Sequence, residues 1–266
     1  MATRILGIDV SHHNGRIDWD QVPRDVEFVI CKATEGTRFV DPTYADNAVN
    51  AAASHRGVGA YHFARPALSN PDRQAAHFLA TVTALGLPHE QLLALDLEDS
   101  GRLTPPDLGR WAHRWLEIVT ARLRRPVLYL PDYFAGQVGE RDALRGWPLW
   151  LADVHGGPTV PTPWPTWRLL QYNVGAPMVG VPSAAVDRNY FDGNRAEFRA
   201  MAYGVVELHR YGVVGHTYTL RSVASRFAPS TNPDAVEVML RRIIAANPDL
   251  AGRTTLPGGY LLRVPR

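Results

Sequence analysis

The chain has 266 residues, of which 45% are apolar, so it is long enough for one α/β-barrel and a small second domain. Its formal charge of +2 is too balanced to indicate nucleic acid binding, and no apolar run reaches the ~18 residues of a membrane-spanning helix. Cys31 is the single cysteine, which excludes an intrachain disulfide and places this residue in a buried strand rather than at a nucleophilic site.

Short β-branched runs alternate with helical patterns through the first 200 or so residues, as expected of a parallel sheet with helices outside it. We predict eight strands, at residues 5–10, 28–32, 59–63, 92–98, 127–130, 149–154, 168–172 and 185–187. Helices are predicted at residues 44–54, 72–85 and 106–123. The later connections are short and rich in Pro and Gly, so we expect few helices and an irregular barrel on that side.

The pattern changes after residue 203. A strand is predicted at residues 216–220, an amphipathic stretch at 221–227, a longer helix at 233–246 and a final strand at 260–265. We therefore predict two domains, a barrel at residues 1–203 and a small α+β domain at residues 210–266. Residues 204–266 carry eight arginines against four acidic residues, which indicates either an anionic polymer as partner or a solvated basic face.

Carboxylates stand where predicted strands end, the edge at which catalytic groups of α/β-barrels gather. Asp9 closes the first strand, Asp96 and Glu98 the fourth, and Asp187 the eighth. Because side chains alternate along a strand, Asp96 and Glu98 are expected on one face, with their α-carbons roughly 7 Å apart. Such crowding raises the pKa of one acid, as glycoside hydrolysis requires. The open alternatives are a structural role and a metal site, although no calcium loop or paired-histidine motif is present.

Aromatic residues near the same strand ends suit sugar rings, whose apolar faces pack on aromatic planes. Tyr61 and Tyr129 are predicted sugar contacts, whereas Phe63 shares the face of Tyr61 and is predicted to pack. We interpret the histidines at positions 12, 13 and 62 as structural, hydrogen-bonded residues rather than catalytic ones.

Seven segments resemble, in order, the motifs of glycoside hydrolase family 25: GIDVSHHNG at 7–15, KATEG at 32–36, GAYHFARP at 59–66, LDLED at 95–99, LWLADV at 149–154, LLQY at 169–172 and VDRNYF at 186–191. The resemblance implies an irregular, flattened (β/α) TIM-like barrel. It also implies a lysozyme that cleaves the β-1,4 bond between N-acetylmuramic acid and N-acetylglucosamine in bacterial peptidoglycan. A chitinase also ends a barrel strand in D-x-E, but its further upstream aspartates are replaced here by Leu92 and Ala94.

The resemblance also implies roles for individual residues. Glu98 is similar to the general acid, and Asp96 to the partner that orients the substrate acetamido group or assists the second step. Asp9 and Asp187 match the acidic positions that hold substrate or water. The expected cleft-lining, substrate-binding residues are Lys32, Glu35, Tyr61, Tyr129, Trp150 and Gln171. No metal and no organic cofactor is implied.

The C-terminal segment resembles a LysM module, a small βααβ unit that binds N-acetylglucosamine-containing glycans. Tyr218, Asn247, Pro248, Gly258 and Pro265 stand where that pattern expects them. The Gly-Asp-Thr-Leu turn of the pattern is missing, and the middle is about ten residues longer. Glycan binding and a role as a stabilising cap on the barrel therefore both remain open.

The N-terminal sequence reaches polar and charged residues within ten positions, so we expect no signal peptide and synthesis in the cytosol. A barrel with a wall-binding tail then predicts a phage endolysin, held in the host cytoplasm until a holin-type partner releases it to the cell wall. Anionic wall polymers are a second expected partner for the basic tail. The alternatives are a secreted bacterial autolysin and a catalytically silent wall-binding protein.

Overall fold

The computed structural model describes residues 3–85, 91–183, 185–203, 206–212, 216–228, 232–247, 250 and 252–265. The chain divides into two compact units, Met1–Ala202 and Tyr203–Arg266. No helix among the described residues is long and apolar enough to cross a membrane.

The first unit alternates strands and helices. Its strands are β1 (Arg4–Val10), β2 (Val26–Glu35), β3 (Phe39–Val40), β4 (Gly57–Phe63), β5 (Gln91–Asp96), β6 (Val127–Pro131), β7 (Leu149–Ala152), β8 (Leu169–Ala176) and β9 (Val186–Asp192). Its helices are α1 (Tyr44–Ala53), α2 (Pro71–Ala84), α3 (Pro105–Arg122), α4 (Asp132–Ala135), α5 (Arg141–Leu144) and α6 (Arg195–Tyr203). Side chains of Asn70 and Thr104 cap α2 and α3, and a proline opens each helix because its missing N–H is not needed there.

The sheet closes into an eight-stranded barrel in the order β1-β9-β8-β7-β6-β5-β4-β2, with β2 pairing back onto β1 and β3 added outside β2. Most neighbours are parallel, as predicted, but β9 runs antiparallel to both β8 and β1. Nine residues separate β8 from β9, too few for the crossover of about a dozen that a parallel neighbour requires. The expectation of a uniformly parallel sheet was wrong at this strand.

The direction of β9 changes the placement of Asp187. The predicted eighth strand ended at residue 187, but β9 starts at Val186 and continues to Asp192. Asp187 therefore lies near the beginning of its strand. Because that strand is reversed, its beginning lies at the edge where the parallel strands end, and Asp187 faces Asp9 in the β1–β9 register.

The barrel interior is apolar at the end opposite this edge. Its buried residues include Ile5, Phe28 and Phe191, and Phe198 of α6 stacks on Phe28 at 4.8 Å between ring centroids. A Cβ on Gly7 would lie 2.4 Å from the Phe28 ring, so this position accepts only glycine. A second apolar layer, which contains the buried Cys31, packs the outer faces of the strands against the helices. The acids Asp9 and Asp96 continue the inward-facing row at the mouth of the barrel.

The second unit has its own core. It contains β10 (Val206–Tyr211), β11 (Thr217–Thr219), α7 (Leu220–Phe227), α8 (Pro233–Ala246), β12 (Thr255–Pro257) and β13 (Tyr260–Pro265). β10 pairs with β13 and β11 with β12, both antiparallel. The two helices and the last strand were predicted, whereas β10 and β12 were not, and β10 begins before residue 210, where the predicted domain starts. Buried Leu220, Val223 and Ile243 pack this unit together.

Candidate active site

The mouth of the barrel forms a cleft of about 450 Å³. All ten residues predicted for the site line it: Asp9, Asp96, Glu98 and Asp187, with Lys32, Glu35, Tyr61, Tyr129, Trp150 and Gln171. The structure therefore brings together carboxylates that are up to 178 positions apart in the chain.

Strand periodicity explains how the acids reach the cleft. On β5, Leu92 and Ala94 point into the apolar interior, so Asp96 points inward at the mouth. On β1 the same alternation leads from Ile5 to Asp9. Glu98 differs from the prediction, because β5 ends at Asp96 and Glu98 lies in the segment that follows. Leu97 between the two acids is fully buried on the other side, which keeps Glu98 directed to the cleft.

Asp9 lies at the mouth end of β1, where two amide side chains hold its carboxylate. Its Oδ2 accepts hydrogen bonds from Asn189 Nδ2 at 2.7 Å and from Gln171 Nε2 at 2.9 Å. Burial and the negative charge of Asp187 nevertheless raise the pKa of Asp9 to about 7, against the opposing effect of those two hydrogen bonds. Asp9 therefore exchanges its proton near neutral pH.

The other three acids also hold their protons more tightly than free carboxyl groups. Asp96 is 8% exposed, and its Oδ1 accepts no hydrogen bond from any described residue. Burial, followed by the charge of Glu98, raises the pKa of Asp96 well above its ordinary value. Burial also raises the pKa of Glu98, where the charges of Lys32 and Arg65 oppose it. For Asp187, a hydrogen bond from the backbone N–H of Gly175 at 3.0 Å partly offsets the rise in pKa caused by burial.

Aromatic and amide groups form the floor of the cleft. The Tyr129 hydroxyl donates to Gln171 Oε1 at 3.0 Å, and Trp150 Nε1 donates to Asn189 Oδ1 at 2.9 Å. The two rings meet edge to face, with 4.9 Å between centroids. Since both amides then donate to Asp9, the floor fixes the orientation of that carboxylate.

The wall beside Glu98 is cationic. Lys32 Nζ lies 2.6 Å from Glu35 Oε2, and Arg65 Nε lies 2.8 Å from Glu35 Oε1. Phe63, which was predicted to pack, does so in the cleft wall, with Lys32 at 4.7 Å and Arg65 at 4.5 Å from its ring centroid.

Among the residues that the sequence analysis missed, two hold charged groups of the site. Asn189 is wholly buried and binds Asp9 across 180 positions of sequence, and Arg65 follows β4 at the cationic wall. Both lie in the family-like segments VDRNYF and GAYHFARP, and alternation from Asp187 along β9 would have indicated Asn189.

The histidine predictions have distinct outcomes. His62 is fully buried, and its ring nitrogens lie 2.8 Å from Thr34 Oγ1 and 2.9 Å from Gln74 Oε1. Burial lowers its pKa to about 3, so His62 is neutral and structural, as interpreted. His12 Nδ1 is bound to Asp41 at 2.7 Å, while His13 lines the cleft. Among the described residues, no three His, Cys, Asp or Glu side chains are placed to hold a metal ion.

Four inward carboxyl groups whose pKa values are raised, at the mouth of an α/β-barrel with aromatic walls, define a glycoside hydrolase site. The family model of glycosyl hydrolases family 25 matches residues 8–181. Asp9, Asp96 and Glu98 lie inside the matched range, and Asp187 lies six positions beyond it.

Individual relatives agree with this match. Lysozyme M1 of Streptomyces globisporus is 34% identical over 212 residues, which are 74% of this chain and 71% of that protein. A bacterial lysozyme from Streptomyces coelicolor is similar in structure, with a TM-score of 0.68, 32% identity, and coverage of 75% of this chain and 97% of its own. A muramidase from Acremonium alcalophilum has a TM-score of 0.65 at 28% identity, and the match covers 75% of this chain and 99% of that one. The chain belongs to glycosyl hydrolases family 25.

Proposed function

We propose that the protein is an N-acetylmuramidase that cleaves the β-1,4 bond between N-acetylmuramic acid and N-acetylglucosamine in bacterial peptidoglycan. The observation that carries the proposal is the convergence of Asp9, Asp96, Glu98 and Asp187 in one cleft. Membership of family 25, with similarity to a lysozyme and a muramidase, supports the same substrate.

Glu98 is the proposed general acid, because its pKa is raised by burial while its side chain stays partly accessible at the mouth. It donates its proton to the glycosidic oxygen as the bond to the anomeric carbon breaks and the electron pair passes to that oxygen. The positive charge that develops on the sugar ring is stabilised by the neighbouring carboxylates. A water molecule then adds to the anomeric carbon, and a carboxylate takes up its proton.

Asp96 has a free acceptor at Oδ1, and we assign it to the N–H of the substrate acetamido group. A donor placed there would satisfy the unpaired oxygen, so binding of an N-acetylated sugar lowers the cost of burying this acid. Asp9 and Asp187 hold substrate or water from the opposite side, oriented by Gln171, Asn189 and the Gly175 backbone. Tyr61 and Tyr129 contact sugar rings.

The second unit is assigned to wall binding as a LysM-like module, with its surplus of arginines directed to anionic wall polymers. For the biological setting we propose a phage endolysin, which acts on the cell wall after a holin-type partner releases it from the host cytoplasm. A secreted bacterial autolysin would use the same chemistry by another route of export, and the genes next to this one would distinguish the two settings.

The catalytic assignment is tested by Glu98→Gln, which keeps the side-chain shape but removes the acidic proton. We expect the release of soluble fragments from purified cell walls to fall by about 10²- to 10⁴-fold. Glu117→Gln is the matched control, because Glu117 lies on α3 with half of its side chain exposed and does not line the cleft. Equal rates for Glu98→Gln and the control would contradict the proposal, and failure of every form to release fragments would leave a wall-binding protein.

A further inference from the structure

The cationic wall beside Glu98 is built around Arg65. Its guanidinium is held at two points, by Glu35 Oε1 at 2.8 Å from Nε and by Asp99 Oδ2 at 3.0 Å from Nη1. Asp99 is itself fixed, because its Oδ1 accepts the backbone N–H of Gly101 at 2.8 Å. The three charged side chains are between 25% and 36% exposed, so water screens them less than a fully exposed surface pair.

The backbone of Arg65 is fixed as firmly as its side chain. Gln74 of α2 donates to the carbonyl oxygen of Arg65 at 2.7 Å and accepts the N–H of Arg65 at 3.1 Å. His62 in turn holds Gln74 at 2.9 Å. Such a complete set of bonds leaves Arg65 little freedom to turn away from the cleft.

Lys32 places a second cation in the same wall. It lies 2.6 Å from Glu35 Oε2, so one glutamate holds both cations, and its side chain is 8% exposed. Lys32 and Arg65 lie on the ring of Phe63, and both line the cleft that Glu98 also lines. Lys32 is the single lysine of the chain.

We propose that Arg65, held between Glu35 and Asp99, is a positioning residue for Glu98 and, together with Lys32, fixes the upper pH limit at which the enzyme works. This inference rests on the proposed role of Glu98 as the acid. Arg65 acts through Glu98 and makes no contact with the reacting atoms in this account.

Charged groups from several elements surround Glu98. The negative charges of the acids raise the pKa of Glu98, and the positive charges of the two cations lower it. Two neutral phenol groups also lie within electrostatic reach of Glu98. These groups are the cations Lys32 (β2) and Arg65 (after β4), the acids Asp9 (β1), Asp96 (β5), Asp99 (after β5) and Asp187 (β9), and the phenols Tyr129 (β6) and Tyr133 (α4). Removing one cation therefore leaves Glu98 protonated to higher pH, whereas removing Glu35 exposes it to more positive charge.

The pH dependence of kcat/KM tests the inference, since its alkaline limb reports the proton on the acid of the free enzyme. Arg65→Met should move that limb to higher pH by about half a unit or more, because one cation is lost. Glu35→Gln should move it in the opposite direction, because both cations lose their partner. Arg65→Lys keeps the charge and should restore the limb toward the wild-type position.

Arg114→Met is the matched control, because Arg114 forms an exposed ion pair with Asp72 outside the cleft and should leave the limb unchanged. The inference would be overturned if the rates of Arg65→Met and Glu35→Gln fell while the alkaline limb stayed in place. Arg65 would then have a structural role only. If Arg65→Met does not fold, the shift in Glu35→Gln decides the matter alone. If Glu98→Gln is inactive but the alkaline limb does not move in Arg65→Met and Glu35→Gln, only this inference is refuted. If Glu98→Gln is active, the proposed function itself is refuted.

Discussion

Asp9 is a residue whose chemistry opposes the stability of the fold. Its pKa is about 7 in the folded chain and 3.8 in an unconstrained one, because burial and Asp187 disfavour the charged form. Between these two values the folded state binds more protons than the unfolded state, so the contribution of Asp9 to stability falls as the pH rises from about 4 to 7. At neutral pH the ionised form of Asp9 therefore lowers the free energy of unfolding, although the same group can exchange a proton in the cleft.

We therefore expect Asp9→Asn to stabilise the protein at pH 7.5 while abolishing wall hydrolysis. An asparagine oxygen still accepts the bonds from Gln171 and Asn189, but it carries no buried charge. The gain in the free energy of unfolding, measured with urea, should be on the order of 2–3 kcal/mol at pH 7.5 and close to zero at pH 4.

Asp72→Asn serves as the contrasting change, because the hydrogen bond from Arg114 lowers the pKa of Asp72. That variant should show no gain at pH 7.5. A loss of stability in Asp9→Asn at pH 7.5 would contradict the account of the buried carboxylate.

The sequence identified those site residues whose place depends on local geometry. Period-two alternation along a strand was enough for Asp9 and Asp96, because each continues an inward-facing apolar row. Asn189 and Arg65 were missed because their roles come from contacts with side chains far along the chain, which alternation within one strand does not reveal.

A buried polar network of Thr34, His62 and Gln74 joins strands β2 and β4 to helix α2 behind the cleft wall. His62 Nε2 donates a hydrogen bond to Gln74 Oε1, and Nδ1 of the neutral ring can accept one from Thr34 Oγ1. Its pKa is lowered from 6.5 to about 3 by burial, against a raising effect of the Gln74 bond. The unfolded state binds the extra proton below pH 6.5, and the protein therefore loses stability as the pH falls from 6.5 toward 3.

Replacing His62 by Gln removes this titration. The variant is expected to be less stable than the wild type at pH 7, because a buried ring is lost. Between pH 7 and pH 5, however, the wild type should lose about 2 kcal/mol of unfolding free energy more than the variant does. His113→Gln, a change on the partly exposed surface of α3, is the control and should follow the wild type. Parallel pH curves for His62→Gln and the wild type would refute the network.

Elements with strong periodicity were predictable, whereas the direction of β9 was not. The helices at α2, α3 and α8 carry proline and cap residues at their starts, so the sequence located them within a residue or two. β9 was cut short and given the wrong direction, because the direction of a strand depends on the length of its connection and on the neighbour that it pairs with.

At the scale of the whole molecule, each unit has a separate apolar core, and the ten predicted site residues belong to the first unit. A chain that ends at residue 203 is therefore expected to fold and to hydrolyse soluble glycan fragments at rates within about twofold of the full chain. Its binding to insoluble walls should weaken by about tenfold or more, because two linked binding sites act together. Sedimentation of protein with purified walls measures this loss.

Salt supplies the control for that comparison. If the arginine surplus of the second unit binds anionic wall polymers, raising the ionic strength should weaken wall binding of the full chain more than that of the shortened one. Equal wall binding by both chains at low salt would show that the second unit does not contribute to wall binding.

Cleavage in this cleft is proposed to fall on the reducing side of N-acetylmuramic acid. The most direct measurement is to digest purified peptidoglycan with the full chain, reduce the new sugar ends with borohydride and identify them by mass spectrometry. We expect reduced muramic acid at the new ends, and none in the Glu98→Gln digest. Reduced glucosamine at those ends would contradict this expectation.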